Sequence, residues 1–287
     1  MGNRKITHSL EVGVKMRRYH YAIVIVIALL AALVPVATAY RTPDTYSGVT
    51  AEEEYDVLFQ VSTIDALMLG VYDGTLSFEE LEKRGGFGIG TFDHLDGEMI
   101  GLDGEYYQVK DDGVAYPVAG NMTTPFAAVT FFDADETISI EDAENYTQFG
   151  EYLDERLPSK NVFYAIRIDG TFPYMKTRSV PRQEKPYPLL AEVAVDQTIS
   201  EFQNVNGTIV GFRSPEFVKG INIPGYHLHF ITEDRKAGGH VLDFQIKDME
   251  VEIDVTPDFF IQLPKEGDFY NIDLSQDLGS DLVKIEK

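Results

Sequence analysis

The sequence predicts an α+β fold in two lobes, built mainly from β-sheets with a few flanking helices. Each half of the chain opens with strand and helix signals and then turns to hairpin signals. The second half is the richer in strands, and no fixed-period repeat is present. We therefore expect one domain over residues 55–287, with packed lobes of about 55–158 and 159–287.

The first 39 residues are predicted to be a signal peptide. Five basic residues and a single acidic one precede an uncharged apolar run over residues 22–36, and the Ala-Thr-Ala sequence at 37–39 suits a signal peptidase. The alternative is an uncleaved membrane anchor, because the uncharged run over 19–40 exceeds the roughly 20 residues that span a bilayer. In either case the basic residues place the globular part outside, after a polar linker over 40–54, so we expect a secreted protein or one anchored facing outward.

The composition excludes several classes of partner and cofactor. The sequence has 24 Lys and Arg against 47 Asp and Glu, and without the leader it keeps 19 basic and 46 acidic residues, a net charge of −27. Such a surface repels phosphate backbones and anionic lipids, so we predict no nucleic-acid partner and no membrane contact beyond the N-terminal segment. Because the sequence has no cysteine, any metal must be bound by histidines and carboxylates.

Two short helices are predicted in the first lobe, after a strand over residues 57–60. Ser62 or Thr63 is placed to cap the first helix, whose apolar residues recur at helical spacing over 64–71. Ser77 begins a capping box for the second helix, and leucines on either side add a hydrophobic staple. Glycines follow both segments and end the helices.

A β-hairpin is predicted over residues 98–109, because apolar and polar residues alternate on both sides of the Asp-Gly turn at 103–104. This register sets Ile100 opposite Tyr107. It also places Glu98 on the apolar face, where a carboxylate is unusual. Glu98 is therefore a candidate functional residue, and the alternative is an edge position at which the face opens to water.

The remaining elements follow from alternation, helical spacing and turn residues. In chain order they are a strand over 124–132, a helix over 140–157 ended by Pro158, a hairpin of 162–168 with 171–180 about Asp169 and Gly170, a hairpin of 201–205 with 208–212 about Asn206 and Gly207, and strands over 226–232, 240–246 and 249–255. On the last strand we expect Glu250, Glu252 and Asp254 to face solvent.

The strongest functional signal is a group of three histidines, His227, His229 and His240. Residues two apart on a strand point to the same side, so His227 and His229 stand together, and a turn near residues 234–235 sets His240 opposite His229. A His-x-His pair alone is more often an ordinary surface or core pair, but the third histidine favours a metal site. Three imidazoles suit Zn²⁺, Fe²⁺, Mn²⁺ or Ni²⁺ and leave an open position, as catalytic sites do.

Two further residues bear on the chemistry. Arg178 comes late in its predicted strand, and a guanidinium there can hold a substrate carboxylate through two parallel hydrogen bonds. Glu233 follows the His-x-His pair as in the first cupin motif, which would make it a metal ligand, although the second cupin motif is missing. A cupin-like metal enzyme and a secreted binding module with a structural metal are therefore the alternative functions.

Five separated stretches of the sequence resemble the alpha-acetolactate decarboxylases. In chain order they are FQVSTIDALMLGVYDG from Phe59, GIGTFDHLDGEMI from Gly88, KNVFYAIRIDGTF from Lys160, RSVPRQEKPYPLL from Arg178 and PGYHLHFITEDRKAGGHVLDFQ from Pro224. The resemblance covers nearly the whole chain after the leader, from about residue 57. It implies mixed and antiparallel sheets, a metal site on strands of the second lobe, and a homodimer.

The resemblance also implies an activity and a set of site residues. The activity is decarboxylation of the small molecule 2-acetolactate to acetoin and CO₂ at a zinc ion, which stabilises an enediolate. The family's three zinc ligands correspond to His227, His229 and His240. Its other active-site residues correspond to Glu98, to Arg178 and to a glutamate of the C-terminal tail that would here be Glu286. By the same resemblance Thr91 lines the site, whereas His94 has no role.

We expect each of these side chains to act on the substrate in a different way. Arg178 would hold the substrate and its developing charge, and Glu98 would handle protons near the metal. Glu286 would serve as a proton donor or an outer ligand. No organic cofactor is required, because a cation bound to the substrate oxygens can stabilise the enediolate that forms when CO₂ leaves.

Overall fold

The structure is a computed structural model, and it describes residues 56–285. The predicted signal peptide, the linker and Glu286 lie outside the described residues. None of the helices within that range combines the length and the apolar character needed to cross a membrane.

The described residues form fifteen strands and five α-helices. The strands are β1 (Val57–Val61), β2 (Leu76–Ser77), β3 (Phe87–Thr91), β4 (Glu98–Leu102), β5 (Glu105–Val109), β6 (Ala115–Pro117), β7 (Thr123–Thr124), β8 (Ala127–Thr130), β9 (Glu136–Ala143), β10 (Phe163–Ser179), β11 (Thr198–Ser214), β12 (Gly225–Thr232), β13 (Gly238–Phe244), β14 (Ile246–Thr256) and β15 (Asp258–Gln262). The helices are α1 (Ile64–Met68), α2 (Phe78–Leu81), α3 (Tyr146–Asp154), α4 (Leu190–Val193) and α5 (Gly279–Ile285).

The strands form two large sheets and a small ladder of β2 with β7. The seven-stranded sheet has the order β15-β1-β8-β3-β4-β5-β6, in which only β1 and β15 are parallel. The six-stranded sheet has the order β11-β12-β13-β10-β14-β9 and is antiparallel, and β10 also pairs with β11. The predicted fold class, mixed and antiparallel sheets with a few helices, is confirmed.

The two faces of strand β12 serve different parts of the molecule. Phe230 lies in a buried cluster with Phe172 and Phe244, onto which helix α3 packs Phe149. The neighbouring residue His229 points the other way, toward the first sheet, because successive side chains on a strand alternate between faces. A second buried cluster fills the space between the sheets and draws residues from both, including Ile89, Ile100, Phe163, Val210 and Ile231.

The predicted elements nearest the site are confirmed. Thr63 caps α1, its side-chain oxygen accepting a hydrogen bond from the backbone N–H of Ala66 at 3.3 Å. Ser77 caps α2 in the same way. Strands β4 and β5 form the predicted hairpin with Ile100 opposite Tyr107. The division into lobes near residue 158 stays a prediction; β9 and α3, which precede that point, pack with the second sheet.

Both hairpins predicted in the second half are wrong. The two turn signals lie within continuous 17-residue strands, β10 and β11, where Asp169 pairs with Thr208 and Gly170 with Gly207. A Cβ atom at Gly207 would come within 2.4 Å of the Phe230 ring. This glycine therefore serves close packing, and tertiary contacts override its turn propensity.

The predicted helix over residues 140–157 is wrong in its first part. Residues 136–143 form strand β9, in which Ile138 and Ile140 are buried and the residue between them is exposed. Helix α3 starts only after Asn145, whose side-chain oxygen accepts from the backbone N–H of Gln148 at 2.9 Å. The period of two at the isoleucines is a strand pattern, which the helix prediction overlooked.

The prediction that Asp254 faces solvent is also wrong, although Glu250 on the same strand is exposed. Asp254 is 1% exposed, and the backbone N–H of Asp133 donates to its Oδ2 at 3.4 Å. The segment between β8 and β9 thus covers this end of β14. Burial, together with the nearby Asp135 carboxylate, raises the pKa of Asp254 to about 7.

Candidate active site

The three histidines converge in a buried group between the two sheets. His229 on β12 pairs with His240 on β13, which is the predicted register. The ring centroids of His227, His229 and His240 lie 5.0 to 5.3 Å apart, and one ring nitrogen of each lies within 4.8 Å of the others. Three nitrogens at this spacing surround a point that a single metal ion could occupy.

The environment keeps these imidazoles in the neutral form that binds metals. Burial, with neighbouring imidazoles and Arg178 adding to it, lowers the pKa of both His227 and His240 well below the ordinary value. Burial also lowers the pKa of His229, to about 3, and the charge of Arg178 lowers it further. The hydrogen bond of this ring to Met99 has the opposite, weaker effect on the pKa. A proton would therefore not compete with a metal at these rings near neutral pH.

One hydrogen bond fixes the orientation of His229. Its Nδ1 donates to the backbone oxygen of Met99 at 2.8 Å, so Nε2 carries the lone pair. The Nε2 atom is buried and has no hydrogen-bond partner among the described residues. A buried acceptor of this kind fits a metal ligand, because a metal would satisfy the lone pair.

Glu98 stands directly beside the histidines. It is 6% exposed, and its Oε2 lies 3.8 Å from His229 Nε2. Its Oε1 accepts a hydrogen bond from Arg178 Nη1 at 2.9 Å. Burial raises the pKa of the Glu98 carboxyl, although the positive charge of Arg178 opposes that rise. Strand β4 thus begins with a carboxyl group that can bind a proton in a water-poor site.

Three strands bring Arg178 to the same place. Arg178 on β10 pairs with His240 on β13, and His240 pairs with His229 on β12, so these three residues lie in one row across the sheet. The residues on either side of Arg178 form hydrogen bonds to neighbouring strands. Thr177 Oγ1 donates to Gly238 O on β13 at 3.0 Å, and Ser179 Oγ donates to Val109 O on β5 at 2.7 Å. The second bond ties the Arg178 strand to the hairpin that carries Glu98.

The three histidines, Glu98 and Arg178 line one cavity together with a set of apolar side chains. Thr91 lines the cavity, and its hydroxyl donates to Gly97 O at 2.7 Å, next to Glu98. The apolar walls come from Ile64, Leu67, Leu95, Phe126, Val180, Leu190 and Ile223. Such a site suits a small substrate with a charged end and methyl groups.

The structure thus brings together every predicted site residue that it describes. Glu286 lies outside the described residues, but helix α5 directly before it packs Leu282 and Ile285 into the cluster that forms the apolar walls. Glu233 is exposed and accepts a hydrogen bond from the Asn206 side chain at 3.2 Å, so it lies apart from the histidine group.

Sequence reasoning missed two parts of the site. The backbone oxygen of Met99 has no sequence signature, since every residue carries one. The turn before Glu98 was also overlooked: His94, predicted to have no role, contacts Tyr187 and Asp93, and Leu95 lies in the cavity wall. The HLDGE stretch within the family-like block was the signal that could have drawn attention to this turn.

The fold and the site define a β-sheet protein whose three buried histidines, grouped between two sheets, could hold a metal ion. The sequence matches the family model described as alpha-acetolactate decarboxylase over residues 58–276. A relative of that name from Methanosarcina mazei is 60% identical over 232 residues, which are 81% of this chain and 81% of the relative. Another, from Bacillus subtilis, is 46% identical over 230 residues, 80% of this chain and 90% of the relative.

A solved structure shows the same fold. The crystal structure of alpha-acetolactate decarboxylase from Bacillus subtilis strain 168 matches with a TM-score of 0.78 and 45% identity, over 80% of this chain and 99% of that one. This chain therefore belongs to the alpha-acetolactate decarboxylase family. The prediction that it is an enzyme, and a carboxy-lyase, is confirmed.

Proposed function

We propose that the protein decarboxylates 2-acetolactate to acetoin and CO₂ with a zinc ion bound by His227, His229 and His240. The observation that carries the proposal is the convergence of three buried, neutral imidazoles on the Glu98–Arg178 pair. Family membership supplies the reaction, and the site contains the groups that this reaction needs.

The residues fit the metal. Three nitrogen donors from buried imidazoles form a ligand set typical of catalytic zinc, with a fourth position open to substrate. When bound there, zinc would supply positive charge that stabilises the negative charge developing on the substrate oxygens as CO₂ departs. The hydrogen bond from His229 Nδ1 to Met99 supports this assignment, because metal-binding histidines donate their other nitrogen in this way.

Arg178 would position the substrate. Its planar guanidinium matches a carboxylate in charge and geometry, and it is 5% exposed, so water screens that attraction little. The bond to Glu98 and the row of strand pairs restrict its motion. The substrate's carboxylate end would thus lie at the polar end of the cavity and its methyl groups against the apolar walls.

Glu98 would transfer the proton. Burial raises the pKa of this carboxyl, so it takes up a proton more readily than an exposed glutamate and can deliver that proton to the carbon that CO₂ has left. Delivery from one side gives a single enantiomer of acetoin. Glu286 is the second candidate for this step, or for an outer ligand, on family resemblance alone.

The test is acetoin formation from racemic 2-acetolactate by the purified protein as isolated, after chelation, and with zinc added back. We expect chelation to abolish the activity and zinc to restore it. Glu233→Ala is the matched control, since it should keep both zinc and activity, whereas a cupin-like site would lose them. Activity that chelation leaves unchanged would refute zinc dependence, and no activity in zinc-loaded protein would refute the substrate.

We further propose that the protein is exported through its N-terminal segment and acts as a homodimer. The basic and apolar pattern of residues 1–39 supports export. Mass spectrometry of the protein recovered from cells and from the medium would show whether cleavage follows Ala39. Sedimentation equilibrium would show whether the purified protein has the mass of one chain or of two.

A further inference from the structure

The turn between strand β3 and Glu98, residues 93–97, has an unfavourable backbone conformation. His94 and Leu95 have φ angles of 63° and 55°, in the left-handed region that residues other than glycine rarely adopt. Two such residues in succession are costly, and a conformation of this kind persists only where the surroundings hold it in place.

His94 is held by contacts from two other loops. Its backbone N–H donates to Tyr72 O at 2.8 Å, and its backbone oxygen accepts from Gln183 N–H at 2.8 Å. Its ring Nδ1 lies 2.6 Å from the hydroxyl of Tyr187, whose own ring packs against Tyr72 with centroids 5.1 Å apart. The His94 ring is thus part of the structure that maintains the turn.

The direction of the hydrogen bonds follows from the partners. Asp73 only accepts, so Tyr187 donates its hydroxyl hydrogen to Asp73 Oδ1 at 2.8 Å and accepts from His94 Nδ1–H. Although burial opposes it, hydrogen bonds from Lys185 and Tyr187 lower the pKa of Asp73, which keeps it an acceptor. The other ring nitrogen, Nε2, lies 3.2 Å from Asp93 Oδ2, and that contact is favourable when Nε2 also carries a proton.

The turn leads directly to the active site. Leu95, 2% exposed, forms part of the cavity wall beside Phe126. Two residues beyond it, the backbone oxygen of Gly97 accepts a hydrogen bond from the hydroxyl of Thr91. Glu98 then begins strand β4. Any relaxation of the turn would therefore move both the wall of the cavity and the carboxyl group beside the histidines.

We propose that His94 is a positioning residue for the decarboxylation: through Tyr187 and Asp93 it holds the turn that sets Leu95 in the cavity wall and Glu98 beside the histidines. The inference rests on the proposed function of Glu98. His94 touches no reacting group, so its effect is on the geometry of the site.

The experiment compares Tyr187→Phe and His94→Gly with the parent. Tyr187→Phe removes one hydroxyl and leaves the ring packing, and His94→Gly removes the imidazole while relieving the backbone strain. We expect each to lower kcat at least about tenfold with KM changed about twofold or less, because a displacement of about 1 Å can cost about a hundredfold in rate. The double variant should be no slower than His94→Gly, since both changes break one linkage.

The split between kcat and KM separates this role from a structural one. A turn that is displaced in folded, zinc-loaded protein lowers kcat, whereas partial unfolding lowers the fraction of active protein and the thermal midpoint.

Tyr152→Phe is the matched control, because it removes a tyrosine hydroxyl that donates to Ser139 O on the far side of helix α3. It should match the parent in every measurement. Bound zinc and the thermal midpoint are measured for all variants. Unchanged kcat in both Tyr187→Phe and His94→Gly would overturn the proposal, as would a lower kcat that merely follows loss of zinc or of folded protein. If chelation leaves the activity of the parent unchanged, the proposal of zinc dependence is wrong. The comparison of kcat values still decides the role of His94 in that case.

Discussion

The backbone oxygen of Met99 accepts a hydrogen bond from His229 Nδ1 at 2.8 Å, across the boundary between the two sheets. The preceding residue on the same strand, Glu98, places its carboxylate 3.8 Å from the other nitrogen of that ring. Strand β4 therefore both orients an imidazole of the proposed metal site and supplies the neighbouring acid. Any change that shifts β4 should alter metal binding and proton transfer together.

His240→Ala should remove zinc from the protein. The substitution leaves two imidazoles where zinc prefers at least three protein ligands, so the zinc content should fall from one per chain to near zero. Activity should fall about a thousandfold or more, because in the proposed mechanism the cation stabilises the negative charge left on the substrate as CO₂ departs. Metal analysis of dialysed protein checks the first result and acetoin formation checks the second. Retention of a full zinc equivalent would contradict the assigned ligand set.

Glu98→Gln should slow the reaction without removing the metal. The amide keeps the shape of the side chain but cannot deliver a proton, so kcat should fall about a hundredfold to a thousandfold. The acetoin that still forms should approach a racemate. Zinc content, kcat and product chirality are the measurements.

The same substitution should destabilise the fold. It removes the negative charge beside the buried Arg178 guanidinium, which should lower the free energy of unfolding by about 3 kcal/mol. The corresponding change at an exposed pair, Glu80→Gln beside Lys83, is the control and should cost much less, because water screens exposed ion pairs. If the two variants lost the same free energy of unfolding, the Glu98–Arg178 pair would stabilise the fold no more than an exposed ion pair does.

Gly239→Ala should disrupt the row that joins Arg178, His240 and His229. Gly239 has a φ angle of 135°, and a Cβ atom there would lie 2.4 Å from Arg178 O. Strands β10 and β13 must move apart to admit it, so both the thermal midpoint and zinc affinity should fall. Gly104→Ala is the matched control: its φ angle is 84° but no atom lies within 4 Å of the added carbon, so it measures backbone strain alone. If Gly239→Ala and Gly104→Ala lowered the thermal midpoint and the zinc affinity equally, a clash with Arg178 O would not be the cause.

The sequence predicted the core of the site because that core depends on local patterns. His227 and His229 share a face through the period of two, and a short turn sets His240 opposite His229. Glu98 stood out as an acid on an apolar face, and the structure pairs it with Arg178, 80 residues further along the chain. That pairing depends on the packing of two sheets, and only family resemblance indicated it.

Two of the errors have the same physical origin. The Asp-Gly and Asn-Gly dipeptides at 169–170 and 206–207 are strong turn signals locally, but they pair with each other across β10 and β11. His94 was overlooked because Tyr187 and Asp73, which surround its ring, come from distant loops. Local patterns carry no information about such contacts, so the supporting structure of the site emerged only from the tertiary fold.

Asp254 should make the fold less stable as pH rises from about 4 to about 7. Burial raises its pKa from 3.8 to about 7, so over this range the folded protein keeps a proton that the unfolded chain has lost. The free energy of unfolding contributed by this group therefore falls with rising pH and is lowest above pH 7. Asp254→Asn removes the titration, because the amide is neutral at every pH.

The measurement is urea unfolding of the parent and of Asp254→Asn at about pH 4.5 and pH 8. We compare the free energy of unfolding of the variant with that of the parent at each pH. This difference should shift in favour of the variant by about 2 kcal/mol from the lower pH to the higher one. One pKa unit corresponds to about 1.4 kcal/mol, and structural relaxation around the charged carboxylate makes the shift smaller than the full pKa difference implies. Glu250→Gln, an exposed neighbour on the same strand, is the control and should show no such gain. A difference between parent and Asp254→Asn that stays constant with pH would show that Asp254 is ionised in the folded protein, and the carboxylate would then require a partner, such as a cation, at the end of β14.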